Sequence, residues 1–484
     1  MAGPNFKSDE SFLEKLAVGA TGTRVTIDRL SELGFKPIEL ERGSTGYKLW
    51  KKIKIKRVRV PDILCLRTGL RFEARGKTSS EISMSHSTAD PARAWNVGLG
   101  DDDYVVIVEC EKASASIVDW RQASPVHFIR VGDLRAAFKK KRVKITKPKG
   151  VEEGSEIRVI WPSRAAALKS KVLEVSSKSL KLEAIDGDRK QRFVLNGLRA
   201  LCKVGDVVEQ NQIVASVVPV AVSLKVSGDV SEKHFRDKLA SKVLSERYAA
   251  AKALRFRGYT TSASALKSAV QDHEEDIYVR LECAAALALH DDATGWDFLT
   301  ESLQSEFTQV QLETVIVVSE LPKPRSQEML IAALADQSKH EEVRAGAAWG
   351  LGQFRSKAVS EALVSVFDET KQEIRTEAAR ALLKIAPSQL SELLQLMRST
   401  DHAKRDGIAW VLARHGRFDP KSLLQPGRDD NLRRWTGYIL GYGKERFLES
   451  ALKDIGKSDP EVYFAASVLW QMLESWIYDL KEYG

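Results

Sequence analysis

The sequence has few cysteines and no long apolar run, and each absence excludes a class of protein. Its four cysteines form no CxxC pair, which argues against a structural zinc site and a disulfide framework: Cys65, Cys110, Cys202 and Cys283. The longest apolar run, IVASVVPVAVSL, contains Pro219 and is too short to cross a bilayer. The polar N-terminus shows no secretory signal. We therefore expect a cytoplasmic protein with no membrane partner.

Motifs of several common enzyme classes are also missing. The segment GSTGYK (43–48) lacks the spacing of a phosphate-binding loop, and GxSxG, HExxH and GxGxxG do not occur. The sequence thus argues against kinases, Rossmann enzymes, zinc proteases and serine hydrolases.

The C-terminal half carries one helical pattern in successive copies. Aligned on a recurring, mostly arginine position, the copies are 33, 31, 33, 31, 30, 28 and 30 residues apart: Arg247, Arg280, Gln311, Arg344, Arg375, Arg405, Arg433 and Tyr463. A fixed period in this range predicts a solenoid of stacked helix pairs. We expect about eight repeats over residues 229–484, with inward-facing alanines and leucines buried. The recurring arginines are interpreted as an ion-pair and capping ladder in preference to a ligand site.

The pattern VRxxAAxALG, followed by a second amphipathic helix such as SKAVSEALVSVF, resembles HEAT-like repeats of the phycobilisome-lyase type. The resemblance implies an extended surface that binds a protein partner. It also suggests a bilin lyase as one alternative, although that function would give the basic N-terminal region no role.

Positive charge is concentrated in the N-terminal half. Residues 1–230 contain 41 Lys and Arg against 28 Asp and Glu, whereas residues 231–484 contain 34 against 38. The basic residues are densest in KLWKKIKIKRVRV (48–60) and KKKRVKITKPK (139–149). Such clustering predicts nucleic-acid binding, although a solvated strand and linker would give the same pattern. The candidate binding residues are Lys52, Lys54, Lys56, Arg57, Arg59, Lys139, Lys140, Lys141 and Arg142.

Residues 1–148 combine helical and strand periodicity, which predicts a mixed α/β domain. A helix over 10–34, with Gly19 and Gly22 as possible breaks, precedes strand-like runs that include KIKIKRVRV (52–60), LRFEARGK (70–77) and YVVIVEC (104–110). Residues 149–228 are rich in short strands, and KVGDVVEQNQIVA resembles the hairpin of barrel-sandwich hybrid domains. The fold class is therefore multidomain: mixed α/β, then small all-β, then an all-α solenoid.

Two acidic residues and a lysine mark a candidate site in RVPDILCLRTGLRFEARGK (59–77). Asp62 opens one predicted strand, and Glu73, Arg75 and Lys77 alternate along the next, so the last three share a face. Two carboxylates and a cation are the groups that metal-dependent phosphodiester hydrolysis uses. Further candidates near this site are Glu14, Glu32, Glu109 and the run Ser85, His86, Ser87.

This order of elements, with Pro61-Asp62 and Glu73, resembles the PD-(D/E)XK nuclease superfamily. The resemblance implies that Asp62 and Glu73 hold Mg²⁺ or Mn²⁺ and that Lys77 or Arg75 faces the scissile phosphate. The sequence departs from the motif because Arg75 stands where a lysine is expected, and arginine stays protonated at any working pH. An inactive nuclease-like domain is therefore a real alternative.

Two function hypotheses follow. The first is a metal-dependent nuclease, or a DNA-binding nuclease-like protein, in DNA processing or anti-phage defence. The second is a non-catalytic HEAT-repeat scaffold that recruits protein partners.

Overall fold

The computed structural model describes residues 9–40, 58–147, 156–415, 429 and 431–442. The chain divides into two compact units, one running to Val279 and one beginning at Arg280. Each unit is described here by itself. In the described part of the chain, no helix is both long and apolar enough to cross a membrane.

The first unit begins with one helix and a mixed sheet. In chain order its first elements are α1 (Asp9–Glu32), β1 (Pro37–Glu39), β2 (Ile63–Cys65), β3 (Arg71–Lys77), β4 (Ser83–Ser87), β5 (Tyr104–Lys112), β6 (Trp120–Gln122), β7 (His127–Arg130) and α2 (Val131–Lys139). The main sheet has the order β1-β2-β3-β5-β6, and β7 also pairs with β5. Only β3 and β5 in this sheet run parallel. Residues 58–60, the described end of the predicted strand KIKIKRVRV, lie outside any strand.

Helix α1 is continuous, so the predicted break at Gly19 and Gly22 is wrong. Gly22 faces Gly76 of β3, and a Cβ on Gly22 would come within 2.5 Å of the Gly76 nitrogen. The two glycines let helix and strand backbones touch. The cost of a glycine inside a helix is therefore offset by close packing of α1 on the sheet. Below α1, a core contains Leu30, Phe72 and Val106.

A second core lies on the other face of the main sheet. It joins Val105 and Ile107 of β5 to Trp95 and Trp161, whose rings meet edge to face at 5.0 Å. Trp161 directly follows β9 (Glu156–Ile160), which pairs with both β4 and β8 (Lys144–Thr146). The chain on both sides of the predicted boundary at residue 148 thus contributes to one sheet and one core. The division into 1–148, 149–228 and 229–484 stays a prediction.

The next strands form two small facing sheets. The strands are β10 (Ser163–Ala165), β11 (Ser170–Val175), β12 (Ser179–Ala184), β13 (Lys190–Val194), β14 (Arg199–Ala200), β15 (Val207–Val208) and β16 (Ile213–Ser216). One sheet has the order β10-β16-β14 and the other β13-β12-β11-β15. Val172, Leu180 and Val214 lie in the core that they share. This strand-rich segment agrees with the predicted all-β character of the middle of the chain.

The remainder of the described chain is helical. The helices are α3 (Glu232–Leu239), α4 (Leu244–Arg257), α5 (Ala263–Gln271), α6 (Ile277–Leu289), α7 (Ala293–Leu303), α8 (Thr308–Ser319), α9 (Pro324–Ala335), α10 (Glu341–Leu351), α11 (Lys357–Ser365), α12 (Gln372–Ile385), α13 (Leu390–Ser399), α14 (His402–His415) and α15 (Arg433–Tyr442). In the second unit, α8, α10, α12 and α14 contact one another in turn, and α9, α11 and α13 do the same. The predicted core positions are buried: Ala249, Leu254, Ala285, Leu287, Ala348, Leu351, Ala379 and Leu382.

The recurring arginines satisfy backbone carbonyls at or just after the ends of the preceding helices. Arg375 donates to the Glu369 carbonyl at 2.9 Å, Arg344 to that of Leu334 at 2.8 Å, and Arg405 to that of Met397 at 3.0 Å. Arg247 and Arg344 also pair with acids about one repeat further on: Glu275 and Glu369, respectively. Carbonyls at helix ends have no partner within the helix, so Arg344 and Arg405 fill that need, while Arg375 binds a carbonyl of the loop after α11. The predicted capping and ion-pair ladder is confirmed at these positions. Tyr463 lies outside the described residues.

Candidate functional site

The parallel strands β3 and β5 place two charged residues side by side. In their register Lys77, the last residue of β3, lies opposite Glu109, near the carboxyl end of β5. Loops that follow the carboxyl ends of parallel strands form the usual ligand crevice of α/β folds. Here the loop 78–82 after β3 and the neighbouring strands β4 and β9 enclose that end.

Lys77 and Arg158 converge on one hydroxyl group. Lys77 Nζ donates to Ser83 Oγ at 2.8 Å and also to the Ser83 carbonyl. Arg158, on β9, donates to the same Oγ through Nε at 3.2 Å and Nη2 at 3.1 Å, while Nη2 also donates to Glu81 Oε2 at 2.9 Å. Ser83 is buried, whereas the Arg158 side chain is 45% exposed. Two cationic groups thus share a neutral oxygen at the rim of the fold.

The surroundings of Lys77 favour its neutral form. Burial, then the nearby charges of Arg158 and Arg75, lower the pKa of Lys77 to about 7, and Glu81 opposes them weakly. Removing an ammonium from water disfavours its charged form, and like charges add to that effect. A lysine with such a pKa in a crevice is a candidate functional group.

Two neighbouring cavities open beside this cluster. The first, of about 280 Å³, is lined by Lys77, Thr78, Ser79, Ser83, Met84, Ser85 and Arg158. The second, of about 370 Å³, is lined by Ser79, Ser80, Glu81, Glu109, Ser163, Ala165 and Asn211. Ser79 lines both. In the second cavity Ser80 Oγ donates to Glu109 Oε2 at 2.6 Å.

The predicted acids of the nuclease-like site have other partners. Asp62 Oδ2 accepts a hydrogen bond from the Ala74 backbone N–H at 2.7 Å. Glu73 Oε1 lies 2.6 Å from Arg75 Nη2. Glu73, Arg75 and Lys77 occupy alternate positions of β3, opposite Val105, Ile107 and Glu109 of β5. The structure therefore brings Glu73 together with Arg75, and Lys77 together with Ser83 and Arg158.

These residues fit a resident Mg²⁺ or Mn²⁺ poorly. Magnesium binds through oxygen ligands in octahedral geometry, and here one carboxylate accepts a backbone N–H while the other pairs with a guanidinium. Among the residues that the structure describes, no group of three or more His, Cys, Asp and Glu side chains is placed to hold a metal.

The other acids and the histidine proposed for this site have structural partners. Glu14 pairs with Lys112 at 3.2 Å, and Glu32 pairs with Arg29 at 2.9 Å. His86 Nδ1 accepts from the Trp95 backbone N–H at 3.4 Å, and its ring packs against Phe138. Of the extra candidates, Glu109 and Ser85 line the cavities.

The predicted nucleic-acid-binding residues fall into three groups. Lys52, Lys54, Lys56 and Arg57 lie outside the described residues. Arg59 is exposed in the loop before β2. Lys139, Lys140, Lys141 and Arg142 are exposed at the C-terminal end of α2, where positive charge favours the helix dipole. Arg142 Nη2 donates to the Gly197 carbonyl at 2.6 Å.

Sequence reasoning did not find Arg158 and Ser83. Arg158 is 81 positions after Lys77 and reaches it only because β9 pairs with β4. The alternation of EIRVI (156–160) predicts a strand but gives no sign of which strand it joins.

Comparisons with known proteins support the helical part of the fold. The family of HEAT repeats matches residues 296–383. No curated protein matches the chain. Among solved structures, the CpcE–CpcF complex of phycocyanin lyase from a Nostoc species shows 16% identity and a TM-score of 0.26, over 51% of this chain and 96% of that one.

Two further solved structures show the same level of similarity. Human deoxyhypusine hydroxylase shows 17% identity and a TM-score of 0.21, over 50% of this chain and 96% of that one. A mutant of Kap121p shows 15% identity and a TM-score of 0.28, over 51% and 33%. The functions of these proteins are not transferred at this level of similarity. The C-terminal region of this chain contains HEAT repeats, within a multidomain layout whose N-terminal half is rich in sheet.

Proposed function

We propose that the helical array is a scaffold that binds a basic protein segment in the cytoplasm. HEAT repeats over residues 296–383 carry this proposal, because stacked repeats present extended surfaces and take part in chemistry less often. The recurring arginines support it too, since they are engaged in holding the array together.

Charge indicates the chemistry of the partner. Residues 280–336 contain ten Asp and Glu but only three Lys and Arg. Five of these acids are exposed, and we call them the acidic surface: Asp291, Asp297, Glu301, Glu306 and Glu328. Asp297 on α7 lies 3.8 Å from Arg325 on α9, so the two helices are neighbours; Asp297 and Glu301 lie on the first and Glu328 on the second. A surface of one sign attracts an opposite charge and speeds association.

The test uses purified full-length protein and a fluorescent lysine-rich peptide, with its glutamate-substituted counterpart as the negative probe. We expect the lysine-rich peptide to bind and the glutamate-substituted peptide not to bind. The affinity should fall as the salt concentration rises, because salt screens exposed charges. Replacing Asp297, Glu301 and Glu328 with lysine should abolish binding.

A matched control variant makes the same change in net charge at residues outside the acidic surface. Glu174 and Glu209 are exposed and Glu183 is half-buried in or beside the two small sheets, and each pairs with one lysine. Replacing these three with lysine should leave peptide binding unchanged. Equal loss in both triple variants would mean that only net charge matters and would contradict a specific acidic surface.

A second candidate function, metal-dependent cleavage of DNA in DNA processing or defence, is favoured by one observation. The nuclease resemblance implies the order helix, strand, Asp62 strand, Glu73 strand, helix, strand, and α1, β1, β2, β3 and β5 follow it except that β4 stands where the second helix is expected. The engaged carboxylates of Asp62 and Glu73 argue against it.

A plasmid-cleavage assay with added Mg²⁺ or Mn²⁺ decides between these functions. Cleavage by the parent that Asp62→Ala abolishes would support the nuclease, with Lys77→Ala expected to reduce rate. Absence of cleavage, together with peptide binding at the acidic surface, would support the scaffold alone.

A further inference from the structure

We propose that the cavity beside Lys77 binds the phosphate group of a small phosphomonoester. The proposal is separate from the scaffold function and requires neither metal nor cleavage. It rests on the convergence of Lys77 and Arg158 on Ser83, on the cavity that these three residues line, and on the second cavity, which shares Ser79 with the first.

The hydrogen-bond donors favour an anion. Lys77 Nζ and two nitrogens of Arg158 all lie within 3.2 Å of one hydroxyl oxygen. Glu81 pairs with Arg158 at 2.9 Å, but the oxygen that Lys77 and Arg158 share is neutral. An anionic oxygen in contact with both would form shorter and stronger charge-assisted bonds. A phosphomonoester carries about −1.5 to −2 charge at pH 7 and three acceptor oxygens. Phosphate therefore suits these donors better than a single carboxylate group.

The first cavity has the size of a group rather than of a whole ligand. Its volume of about 280 Å³ is several times the ~30 Å³ share of one water, but lies just below the ~300–1,000 Å³ range of pockets for complete ligands. The hydroxyls of Thr78, Ser79 and Ser85 on its lining add further donors.

The second cavity defines the rest of the ligand. It begins at the shared Ser79 and carries the carboxylates of Glu81 and Glu109, of which Glu81 Oε1 is buried without a hydrogen-bond partner. Carboxylates accept hydrogen bonds and repel a second phosphate. The organic part of the ligand should therefore carry hydroxyl or amino donors, as a sugar phosphate does.

Charge around Lys77 couples this binding to a proton. The charged groups that face it are Arg75 on its own strand, Arg158 on β9, Glu81 in the loop and Glu109 on β5. With the pKa of Lys77 lowered to about 7, most of this side chain is neutral at pH 8. A bound phosphate favours the ammonium, so binding at pH 8 should take up close to one proton.

The test is calorimetric titration of the full-length protein with ribose 5-phosphate, inorganic phosphate and ribose. We expect ribose 5-phosphate to bind more tightly than phosphate, and ribose not to bind. At pH 8 the observed binding heat should change with the ionisation enthalpy of the buffer, because the buffer releases the proton that the complex takes up. Lys77→Met and Arg158→Met should each weaken binding about ten- to a hundredfold, the range expected for a lost charged hydrogen bond.

Two further variants keep the test decisive. Arg130→Met, at the opposite end of β5, removes an exposed arginine that pairs with Asp102 and should leave binding unchanged. Arg158→Lys keeps the charge, so its affinity for ribose 5-phosphate should lie between those of the parent and Arg158→Met. This variant remains informative even if Arg158→Met folds poorly. The proposal would be overturned if ribose 5-phosphate did not bind, or if its affinity were the same for the parent and Lys77→Met. DNA that lacks terminal phosphates but binds with the same dependence on Lys77 and Arg158 would also overturn it, because it carries phosphodiesters and no phosphomonoester.

Discussion

Arg71 and Asp103 form a buried ion pair at the start of the parallel strands. Arg71 Nη2 lies 2.7 Å from Asp103 Oδ2, Nε lies 3.0 Å from Oδ1, and the two side chains are 6% and 7% exposed. The remaining Nη1 donates to Ser245 Oγ on α4 at 3.1 Å. This pair fixes the end of β3 and β5 that lies opposite Lys77 and Glu109, and it ties that end to a helix.

The first prediction concerns this ion pair. Arg71→Ala should lower the free energy of unfolding by about 3–5 kcal/mol, because it leaves the Asp103 carboxylate buried without its partner. Urea denaturation followed by circular dichroism measures the change. Arg130→Ala is the control, since its pair with Asp102 is exposed to solvent and should contribute little to stability. Equal effects of the two substitutions would contradict the prediction.

The second prediction concerns the contact of α1 with β3. Gly22→Ala should destabilise the fold by about 1–3 kcal/mol, because the added methyl meets the Gly76 backbone, which cannot move away. Gly19→Ala, three residues earlier on the same helix, meets nothing within 4 Å. It should stabilise the helix by about 0.5–1 kcal/mol. Thermal unfolding should show a lower Tm for Gly22→Ala and a higher Tm for Gly19→Ala than for the parent. A change in the same direction for both variants would argue against the backbone contact.

The third prediction is a pH dependence at Lys77. Its pKa is lowered in the fold to about 7, against 10.5 in the unfolded chain. Between these values the unfolded state binds more protons, so this group makes stability rise as pH increases from 7 to 10.5. The Tm of the parent, relative to that of Lys77→Met, should therefore increase as the pH is raised across that window. A difference in Tm that stays constant from pH 7 to 10.5 would contradict the prediction.

The fourth prediction concerns the recurring arginines. Arg344 is buried, donates to the Leu334 carbonyl and pairs with Glu369. Arg344→Lys keeps the charge but cannot reach both partners, so it should cost about 2 kcal/mol. Arg325→Lys is the control, because Arg325 is exposed and lies 3.8 Å from Asp297. Scanning calorimetry should show a lower transition temperature only for Arg344→Lys.

The helical half could be predicted because its information is local. A period near 31 residues leaves room for two helices and their loops, and the buried alanines and leucines recur at the same positions of each copy. The capping role of the arginines followed from the same register. Neither prediction needed to know which distant segments meet.

The N-terminal site could be predicted only in part, because its partners are distant in sequence. Alternation along β3 placed Glu73, Arg75 and Lys77 on one face, but it did not show that Glu73 pairs with Arg75. Gly22 was interpreted as a helix break because its reason, Gly76, lies on another element. The Arg158 that approaches Lys77 depends on the pairing of β9 with β4, and strand pairing is set by tertiary packing.

The arginine ladder also determines how the array would respond to mechanical load. Arg247 and Arg344 each pair with an acid about one repeat further on, and each also donates to a carbonyl that precedes its own helix: Ser241 and Leu334, respectively. Because contacts reach only to the nearest neighbour, losing one repeat removes partners from the adjacent repeat but not from those beyond it. Under a pulling force the array should therefore yield in successive steps, each releasing about thirty residues.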